Sequence, residues 1–199
     1  MPEPVAHRLA VLVLAAGPGS RFGGIKQLAE VGGHPLILRT CAWAEALAPG
    51  AVHVVLGAHR EAIAARLPPT VRVIVHPGWA DGLGSSLAAG CVALDARWDA
   101  TLVLLADQVA LRPDALTTMV ARWRADPGAV VCALYSGQPG VPAIFPRRLF
   151  PELAGLSGDR GAKPMLLRET GPDTQLGMPE AAIDIDTWAD LAAWCSRSG

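Results

Sequence analysis

The residues whose types and spacing most clearly suggest chemistry lie in the segment 9–28, which reads LAVLVLAAGPGSRFGGIKQL. An apolar run leads there into a loop with four glycines, and the basic residues Arg21 and Lys26 lie in and just after that loop. Glycines let backbone N–H groups come close to a ligand and adopt positive φ angles, so such a loop can form a concave anion site. With two positive charges added, the segment predicts a site for the triphosphate of a nucleotide. The alternative is an ordinary glycine-rich turn that carries two solvated cations.

The spacing of these residues differs from that of two common phosphate-binding motifs. A P-loop ends in Gly-Lys-Ser/Thr, whereas Lys26 lies between Ile25 and Gln27. A dinucleotide-binding loop needs a third glycine where Phe22 stands, and an acidic residue after the next strand where Gly57 stands. The loop is therefore of neither kind.

A carboxylate, Asp107, follows the apolar run Thr101–Leu105. Ligands of α/β sheets bind in the crevice beyond the carboxyl ends of parallel strands. Mg²⁺ prefers oxygen ligands and is commonly held between one or two carboxylates and the phosphates of a substrate. We therefore expect Asp107 to hold Mg²⁺ against the triphosphate. The alternative is a turn or helix-capping role before Pro113.

A second acidic pair, Asp184 and Asp186, lies in the segment AAIDIDTWADL. The run 181–185 is predicted to be a short strand, so alternation points both side chains to one face of the sheet. Two carboxylates on one face repel each other unless a cation or a donor joins them. The pair is a candidate for the metal site, with Asp186 favoured. The alternative, which is compatible with it, is that Asp186 or Thr187 caps the following helix with Asp190.

The segment 76–90, HPGWADGLGSSLAAG, places small residues at the start of a helical pattern. Backbone N–H groups and hydroxyls exposed there are suited to hydrogen-bonding a base or a ribose. The alternative is an ordinary helix start with a serine cap. His76 and Trp79 are assigned to packing or loop positions. The expected ligand contacts are Gly82, Gly84, Ser85 and Ser86.

Composition argues against several classes of function. The 199 residues carry a formal net charge of −1, so no basic field would recruit nucleic acid. Gly, Pro or charge interrupts each apolar run before membrane-spanning length, and residues 1–8 lack the pattern of a signal peptide. The scattered cysteines, without any CxxC, predict buried free thiols in a reducing cytoplasm. They are Cys41, Cys91, Cys132 and Cys195.

The elements that must position these residues alternate along the chain, which predicts a single α/β domain, 1–199, of Rossmann-like architecture. Its central sheet is expected to be mostly parallel, with helices on both faces. The N-terminal part is expected to bind the nucleotide and residues 136–186 to face the acceptor, because 136–163 break the alternation. The predicted strands are 9–14, 52–56, 71–75, 101–105, 129–134, 141–145 and 182–185. The predicted helices are 35–47, 61–67, 85–94, 113–123, 163–169 and 187–194.

The first loop resembles a known nucleotidyltransferase signature, LxxGxxxRxG…K, read through Leu14, Gly17, Arg21, Gly23 and Lys26. That signature belongs to enzymes with a GT-A-like Rossmannoid fold. Five ordered segments are similar to the molybdenum cofactor cytidylyltransferase group of the molybdopterin nucleotidyltransferases. They are LAAGPGSRFGGIKQL, WADGLGSSLAAG, LLADQV, GDRGAK and DIDTWADL.

The resemblance implies a Mg²⁺-dependent transfer of a nucleoside monophosphate to molybdopterin-bound molybdenum cofactor, with release of pyrophosphate. In that family Leu-Ala-Ala-Gly at positions 14–17 goes with CTP and Leu-Ala-Gly-Gly with GTP, so CTP is favoured and GTP stays an alternative. A molybdoenzyme that receives the product is the further partner implied. The catalytic residues expected are Lys26, Arg21 and Asp107, and the metal ligands are Asp107, Asp184 and Asp186. The nucleotide contacts expected are Leu14, Ala15, Ala16, Gly17, Gly19, Ser20, Arg21, Lys26, Gly82, Gly84, Ser85 and Ser86.

Two positions depart from the family pattern. Val109 stands where the family commonly has proline, and Val141 stands where it has histidine before a late strand. The second position should face the acceptor. Two other functions therefore stay open: a nucleotidyltransferase for another nucleotide or phosphorylated acceptor, and a non-catalytic relative that binds the cofactor.

Overall fold

Alternating apolar runs and helical patterns fold into a central sheet with helices on both faces. The structure, a computed structural model, describes residues 7–198. Residues 1–6, which belong to the segment expected not to be a signal peptide, and Gly199 lie outside the described part. Within it the strands are β1 (Leu9–Leu14), β2 (Glu30–Val31), β3 (His34–Pro35), β4 (Val52–Leu56), β5 (Arg72–Val75), β6 (Ala100–Leu105), β7 (Val131–Tyr135), β8 (Gln138–Pro146) and β9 (Gln175–Gly177). The helices are α1 (Leu36–Leu47), α2 (Arg60–Ala64), α3 (Leu83–Ala93), α4 (Pro113–Ala125), α5 (Phe150–Ala154), α6 (Lys163–Glu169) and α7 (Trp188–Ser198).

The strand β1 lies inside the parallel part of the sheet. The sheet order across the described residues is β5-β4-β1-β6-β8-β7-β9, and β1 pairs in parallel with both β4 and β6. In this register Leu14 lies beside Val55 and Leu105. Because these parallel strands end at the same edge, the loops that follow them open on one side of the sheet, where ligands of such folds bind.

Alternate residues of β1 pack into two different apolar clusters, one on each face of the sheet. Val11 and Val13 join α1 and α4, whereas Leu12 and Leu14 join α3, α5 and α6. Burial on both faces explains why β1 is apolar throughout rather than alternating with polar residues. The α/β fold with a mostly parallel sheet and helices on both faces is confirmed.

The segment after β7 accounts for the antiparallel part of the sheet. It turns back at Ser136 and Gly137, both with positive φ, and β8 inserts between β6 and β7. Within the stretch 136–163, which breaks the alternation in the sequence, α5 forms as a further short helix. The strand β9 was not among the predicted strands; it is short, partly polar, and pairs only with the outer edge of β7.

The predicted strand at 181–185 is wrong. Residues Pro179–Ala182 form a 3-10 turn, and only Asp184 makes a bridge, with Gln108. Both edges of β6 are already taken by β1 and β8. The segment can therefore pair only with the residues beyond the end of β6, where the Ile185 N–H donates to the Asp107 carbonyl at 3.0 Å.

The cysteines are free, as expected, but they are not all buried. Cys41, Cys91 and Cys132 are buried and Cys195 is exposed, because it lies on the outer side of the last helix. Burial raises the pKa of Cys91 to about 12, so its thiol stays protonated. No helix in residues 7–198 has the length and apolarity needed to cross a membrane.

Candidate active site

The loop after β1 is held by the side chain of Gln27. The Gln27 amide, with the residue 4% exposed, donates to the carbonyl of Ala15 at 3.1 Å and to that of Gly17 at 2.8 Å. Gly19 has a φ of +62°, a left-handed conformation that favours glycine. The Gln27 side chain therefore holds the backbone of this loop in place. No role was assigned to Gln27 from the sequence. Its position directly after Lys26 was the one signal that it belongs to the site.

Lys26 links two acidic residues from distant parts of the chain. Its ammonium donates to Asp107 Oδ2 at 2.6 Å and to Asp186 Oδ1 at 2.9 Å, and its side chain is only 12% exposed. Burial alone would lower the pKa of Lys26, but the charges and hydrogen bonds of both carboxylates outweigh it and raise that pKa. The ammonium is thus permanently charged at neutral pH.

Arg21 adds a second cation at the same place. Its guanidinium lies 3.0 Å from Asp186 Oδ2, with the arginine side chain 77% exposed. An exposed pair of this kind contributes little stability. Arg21 can therefore exchange Asp186 for an anionic ligand at small cost.

Asp184 lies close enough to Asp107 and Asp186 for their charges to affect it. Desolvation by surrounding atoms and repulsion from these two carboxylates raise the pKa of Asp184 to about 6, and Lys26 opposes the rise. Because the residue as a whole is exposed, repulsion from the two carboxylates is the cause that accounts for this raised pKa. Three carboxylates and two basic groups leave one negative charge in excess at this point.

The start of α7 keeps Asp186 available for these contacts. Thr187 caps the helix: its hydroxyl accepts from the Asp190 N–H at 3.1 Å, and Asp190 Oδ2 accepts from the Thr187 N–H at 2.7 Å. This reciprocal pattern is a capping box. Because Thr187 and Asp190 do the capping, the Asp186 side chain bonds to Lys26 and Arg21 instead. Asp107 caps nothing either, since α4 begins after Arg112 without a side-chain cap.

Gln108 fixes the segment behind Asp107. Its amide donates to the Val141 carbonyl at 2.9 Å and to the Ala181 carbonyl at 2.8 Å. Val109 beside it is buried against Phe22 and Ile185. The two positions that depart from the family pattern thus supply packing and a backbone acceptor.

Two adjoining cavities lie along this edge of the sheet and share Pro18, Gly19 and Lys26. The larger has a volume of about 460 Å³ and the smaller about 260 Å³. Of the sequence-predicted residues, those that line the larger cavity are Leu14, Ala15, Ala16, Gly17, Gly19, Lys26, Gly82, Ser86 and Asp107. The smaller is lined by Pro18, Gly19, Ser20, Arg21, Lys26 and Asp186.

Two of the expected ligand contacts form bonds within the protein instead of lining either cavity. The Gly84 N–H donates to the Gly158 carbonyl at 2.8 Å, and the Ser85 hydroxyl donates to the Gly82 carbonyl at 2.8 Å and bonds to His76 at 3.0 Å. Their roles toward a nucleotide stay predictions.

Trp79 and Asp159 also line the larger cavity, although neither was expected from the sequence to contact the nucleotide. Trp79 was assigned to packing, and Asp159 belongs to the segment expected to face the acceptor. A Cβ added at Gly82 would overlap with the Asp159 carboxylate and the Gly158 backbone. The loop around Asp159 therefore packs on Gly82, just before α3, and on Gly84 in its first turn, a long-range contact without a local sequence signal.

The expected metal ligands can be judged by their oxygen atoms. Among residues 7–198 no three acidic, histidine or cysteine side chains form a group that could hold a metal ion. In this arrangement Lys26 bonds to both Asp107 and Asp186. However, Asp107 Oδ1 is buried and has no hydrogen-bond partner, and the cluster has excess negative charge. Carboxylate oxygens with unmet bonding capacity fit a hard divalent cation.

The chain is similar to known proteins both in sequence and in fold. The family described as MobA-like NTP transferase domain matches residues 11–173. Nicotine blue oxidoreductase of Paenarthrobacter nicotinovorans is 34% identical over 169 residues, covering 78% of this chain and 79% of that protein. The crystal structure of Rv0371c from Mycobacterium tuberculosis H37Rv has a TM-score of 0.81 and 25% identity, covering 96% of this chain and all of that one, 100%. The Rv0371c complex with manganese has a TM-score of 0.78 and 24% identity, covering 95% and 98% of the two chains.

Proposed function

Because this chain belongs to the MobA-like NTP transferase domain family and is a nucleotidyltransferase, we propose that it transfers CMP from CTP to molybdopterin-bound molybdenum cofactor. Pyrophosphate is the second product. A molybdoenzyme that accepts the charged cofactor and a cytoplasmic location are parts of the same proposal.

The observation that carries the proposal is the position of Lys26. Its side chain lines both cavities and bonds to Asp107 and Asp186 at 2.6 and 2.9 Å. The larger cavity is large enough for a nucleoside, and the smaller one is lined by Arg21 and loop backbone. A cation shared by the two cavities is where the phosphates of a nucleotide bound across them would pass.

The proposed reaction is an in-line displacement at the α-phosphorus of CTP. An oxygen of the acceptor's phosphate forms a new P–O bond there, and the bond to the oxygen bridging the α- and β-phosphates breaks. Lys26, Arg21 and the N–H groups of residues 17–24 stabilise the charge that develops on the phosphates. The acceptor phosphate is already ionised at neutral pH, so the reaction needs no general base. The described lining residues of both cavities include no histidine.

We propose Mg²⁺ as the cation that Asp107 holds together with Asp184 or Asp186. When bound, the ion would neutralise charge on the phosphates. The orphan oxygen of Asp107 and the charge excess among the three carboxylates support this assignment. The manganese complex of Rv0371c is a precedent for a divalent cation in a protein of the same fold.

The choice of CTP and of the acceptor rests on the sequence. Residues 14–17 read Leu-Ala-Ala-Gly and line the larger cavity, and in the cytidylyltransferase group this version goes with CTP. The acceptor assignment rests on the five matched segments, and residues 136–186 are proposed to face it.

A pyrophosphate-release assay tests the proposal. The protein with Mg²⁺ is given each of CTP, GTP, ATP and UTP, against molybdopterin-bound cofactor and a panel of sugar and alcohol phosphates. We expect release with CTP and the molybdenum cofactor. A preference for GTP would contradict CTP as the nucleotide. Turnover only with a sugar or alcohol phosphate would contradict the molybdenum cofactor as the acceptor. Binding without any release would support a non-catalytic relative.

One observation favours a second candidate function on the same cavity. The relative with 34% identity is named an oxidoreductase for nicotine blue. For this function the larger cavity would hold nicotine blue, and the pyrophosphate of a reduced dinucleotide would lie near Lys26 and Arg21, although the loop lacks the standard dinucleotide-binding spacing. Oxidation of reduced nicotinamide dinucleotide in the presence of nicotine blue, without any pyrophosphate release, would support that function instead.

A further inference from the structure

The larger cavity contains one aromatic residue among the described residues that line it, Trp79. Trp79 begins a 3-10 turn that ends at Asp81, and its carbonyl accepts from the Gly82 N–H at 3.2 Å. The side chain is half-buried and packs against the apolar cluster beneath α3. One part of the indole is therefore fixed by packing, while the residue still borders the cavity.

Gly57, at the end of β4, is the reason why Trp79 can lie so close to the first loop. A Cβ added at Gly57 would overlap with Cβ and Cγ of Trp79 and would come within 2.7 Å of the Ala16 carbonyl oxygen. The Ala58 N–H donates to that same carbonyl at 2.9 Å. The glycine thus makes room for a contact between Trp79, β4 and the loop after β1.

The rest of the cavity lining near the first loop consists of small residues. Ala15, Ala16 and Gly17 line it, so a flat ring can approach without meeting a large side chain. The phosphate-binding cations Arg21 and Lys26 border the smaller cavity. A nucleotide whose phosphates lie there must place its base in the larger cavity, which Trp79 borders.

We propose that Trp79 is the stacking surface for the nucleobase, and that Gly57 is the residue that allows it to take this position. The inference rests on the proposed function, because it assumes a nucleoside triphosphate in these cavities. Stacking of a base on an aromatic side chain tolerates any base, since every base has a π-face. Trp79 therefore contributes affinity for the base, and the choice between bases belongs to other groups.

Calorimetric titration of the full chain with CTP and with inorganic tripolyphosphate, both with Mg²⁺, tests the proposal. Tripolyphosphate has the phosphates but no base. Trp79→Leu should weaken CTP binding at least about tenfold and leave tripolyphosphate binding unchanged. Trp79→Phe, which keeps an aromatic face, should stay within about threefold of the wild type for CTP. Trp43→Phe, in α1 and outside both cavities, is the matched control.

Gly57→Ala gives a second test that leaves the indole itself intact. The added methyl group displaces Trp79 and also crowds the Ala16 carbonyl, so CTP binding should weaken by a larger factor than tripolyphosphate binding, which reports any disturbance of the first loop. Equal loss of both ligands in Trp79→Leu, or no loss of CTP binding, would overturn the stacking role. Wild-type protein that binds no nucleoside triphosphate would instead overturn the proposed function, so the two failures are distinguishable.

Discussion

Lys26 is the cation that joins two of the three carboxylates at the site. One ammonium bonds to Asp107 and Asp186 at 2.6 and 2.9 Å, and the exposed Arg21 bonds to Asp186 from the other side at 3.0 Å. Removing Lys26 leaves two carboxylates without their shared partner. Repulsion between them would then oppose both their present arrangement and the approach of an anionic ligand.

Replacement of Lys26 should therefore abolish turnover. We expect Lys26→Ala to lower the rate of pyrophosphate release at least about 100-fold, the usual cost of losing one such charge contact. Arg124→Ala, which removes an exposed cation from α4, should keep the wild-type rate. Circular dichroism of both variants checks that they fold, and full turnover in folded Lys26→Ala would show that the lysine has no catalytic role.

The ionisation of Asp184 makes the protein's free energy of unfolding depend on pH. Its pKa rises from 3.8 to about 6 in the folded protein. Between these values the folded state binds the proton more tightly than the unfolded state, so Asp184 reduces the free energy of unfolding as pH rises through this window. Above pH 6 the full reduction in the free energy of unfolding is present, and below pH 3.8 it is absent.

Asp184→Asn should remove this cost. Because the residue is exposed and its charge screened, we expect the variant to be more stable by about 1 kcal/mol above pH 6. The two proteins should have equal stability below pH 3.8. Urea denaturation across this range, without added metal, measures the difference; a gain that does not change with pH would contradict the charge repulsion.

At the scale of elements, the start of α7 directs Asp186 toward the site. The capping box of Thr187 and Asp190 satisfies the first N–H groups of the helix. We expect Thr187→Ala to lower the free energy of unfolding by about 1 kcal/mol. We also expect it to reduce turnover, because loss of the cap would shift the preceding residue, Asp186, away from Lys26 and Arg21. Thr187→Ser keeps the hydroxyl and should retain both properties. Thermal unfolding and the pyrophosphate assay measure them, and an unchanged Thr187→Ala would rule out the capping role.

The loop after β1 depends on the left-handed conformation of Gly19. A Cβ there would be strained at a φ of +62° and would lie 3.0 Å from Lys26 Cβ. Gly19→Ala should destabilise the protein by about 1–2 kcal/mol and weaken nucleotide binding through the displaced lysine. Gly171→Ala, which has open space and no positive φ, is the control. Equal denaturation midpoints for the two variants would contradict this account.

The predictability of each element follows from how local its determinants are. The strand β1 is apolar because both of its faces are buried, so its bounds could be predicted from composition alone. The segment 181–185 depends on which edges of β6 remain free, and β9 depends on the outer edge of β7. No periodicity within either segment contains that information. The strand expected at 181–185 therefore proved to be a turn and a single bridge.

At the scale of the whole molecule, the fold gathers residues that the sequence could identify only one at a time. Lys26 meets Asp107 and Asp186 from 81 and 160 residues further along the chain. Each was predicted from its own surroundings, whereas the ion pairs between them depend on the sheet order. Trp79 and Asp159 were not predicted to line the larger cavity, because only tertiary packing brings them there.

We propose that the two adjoining cavities bind one nucleoside triphosphate, with its phosphates at Lys26 and Arg21. A crystal structure of the protein with CTP and Mg²⁺ tests this most directly. We expect phosphate oxygens within hydrogen-bond distance of Lys26 and of the amides of residues 17–24, and the cytosine against Trp79. A nucleotide bound elsewhere, or cavities that stay empty at saturating CTP and Mg²⁺, would contradict it.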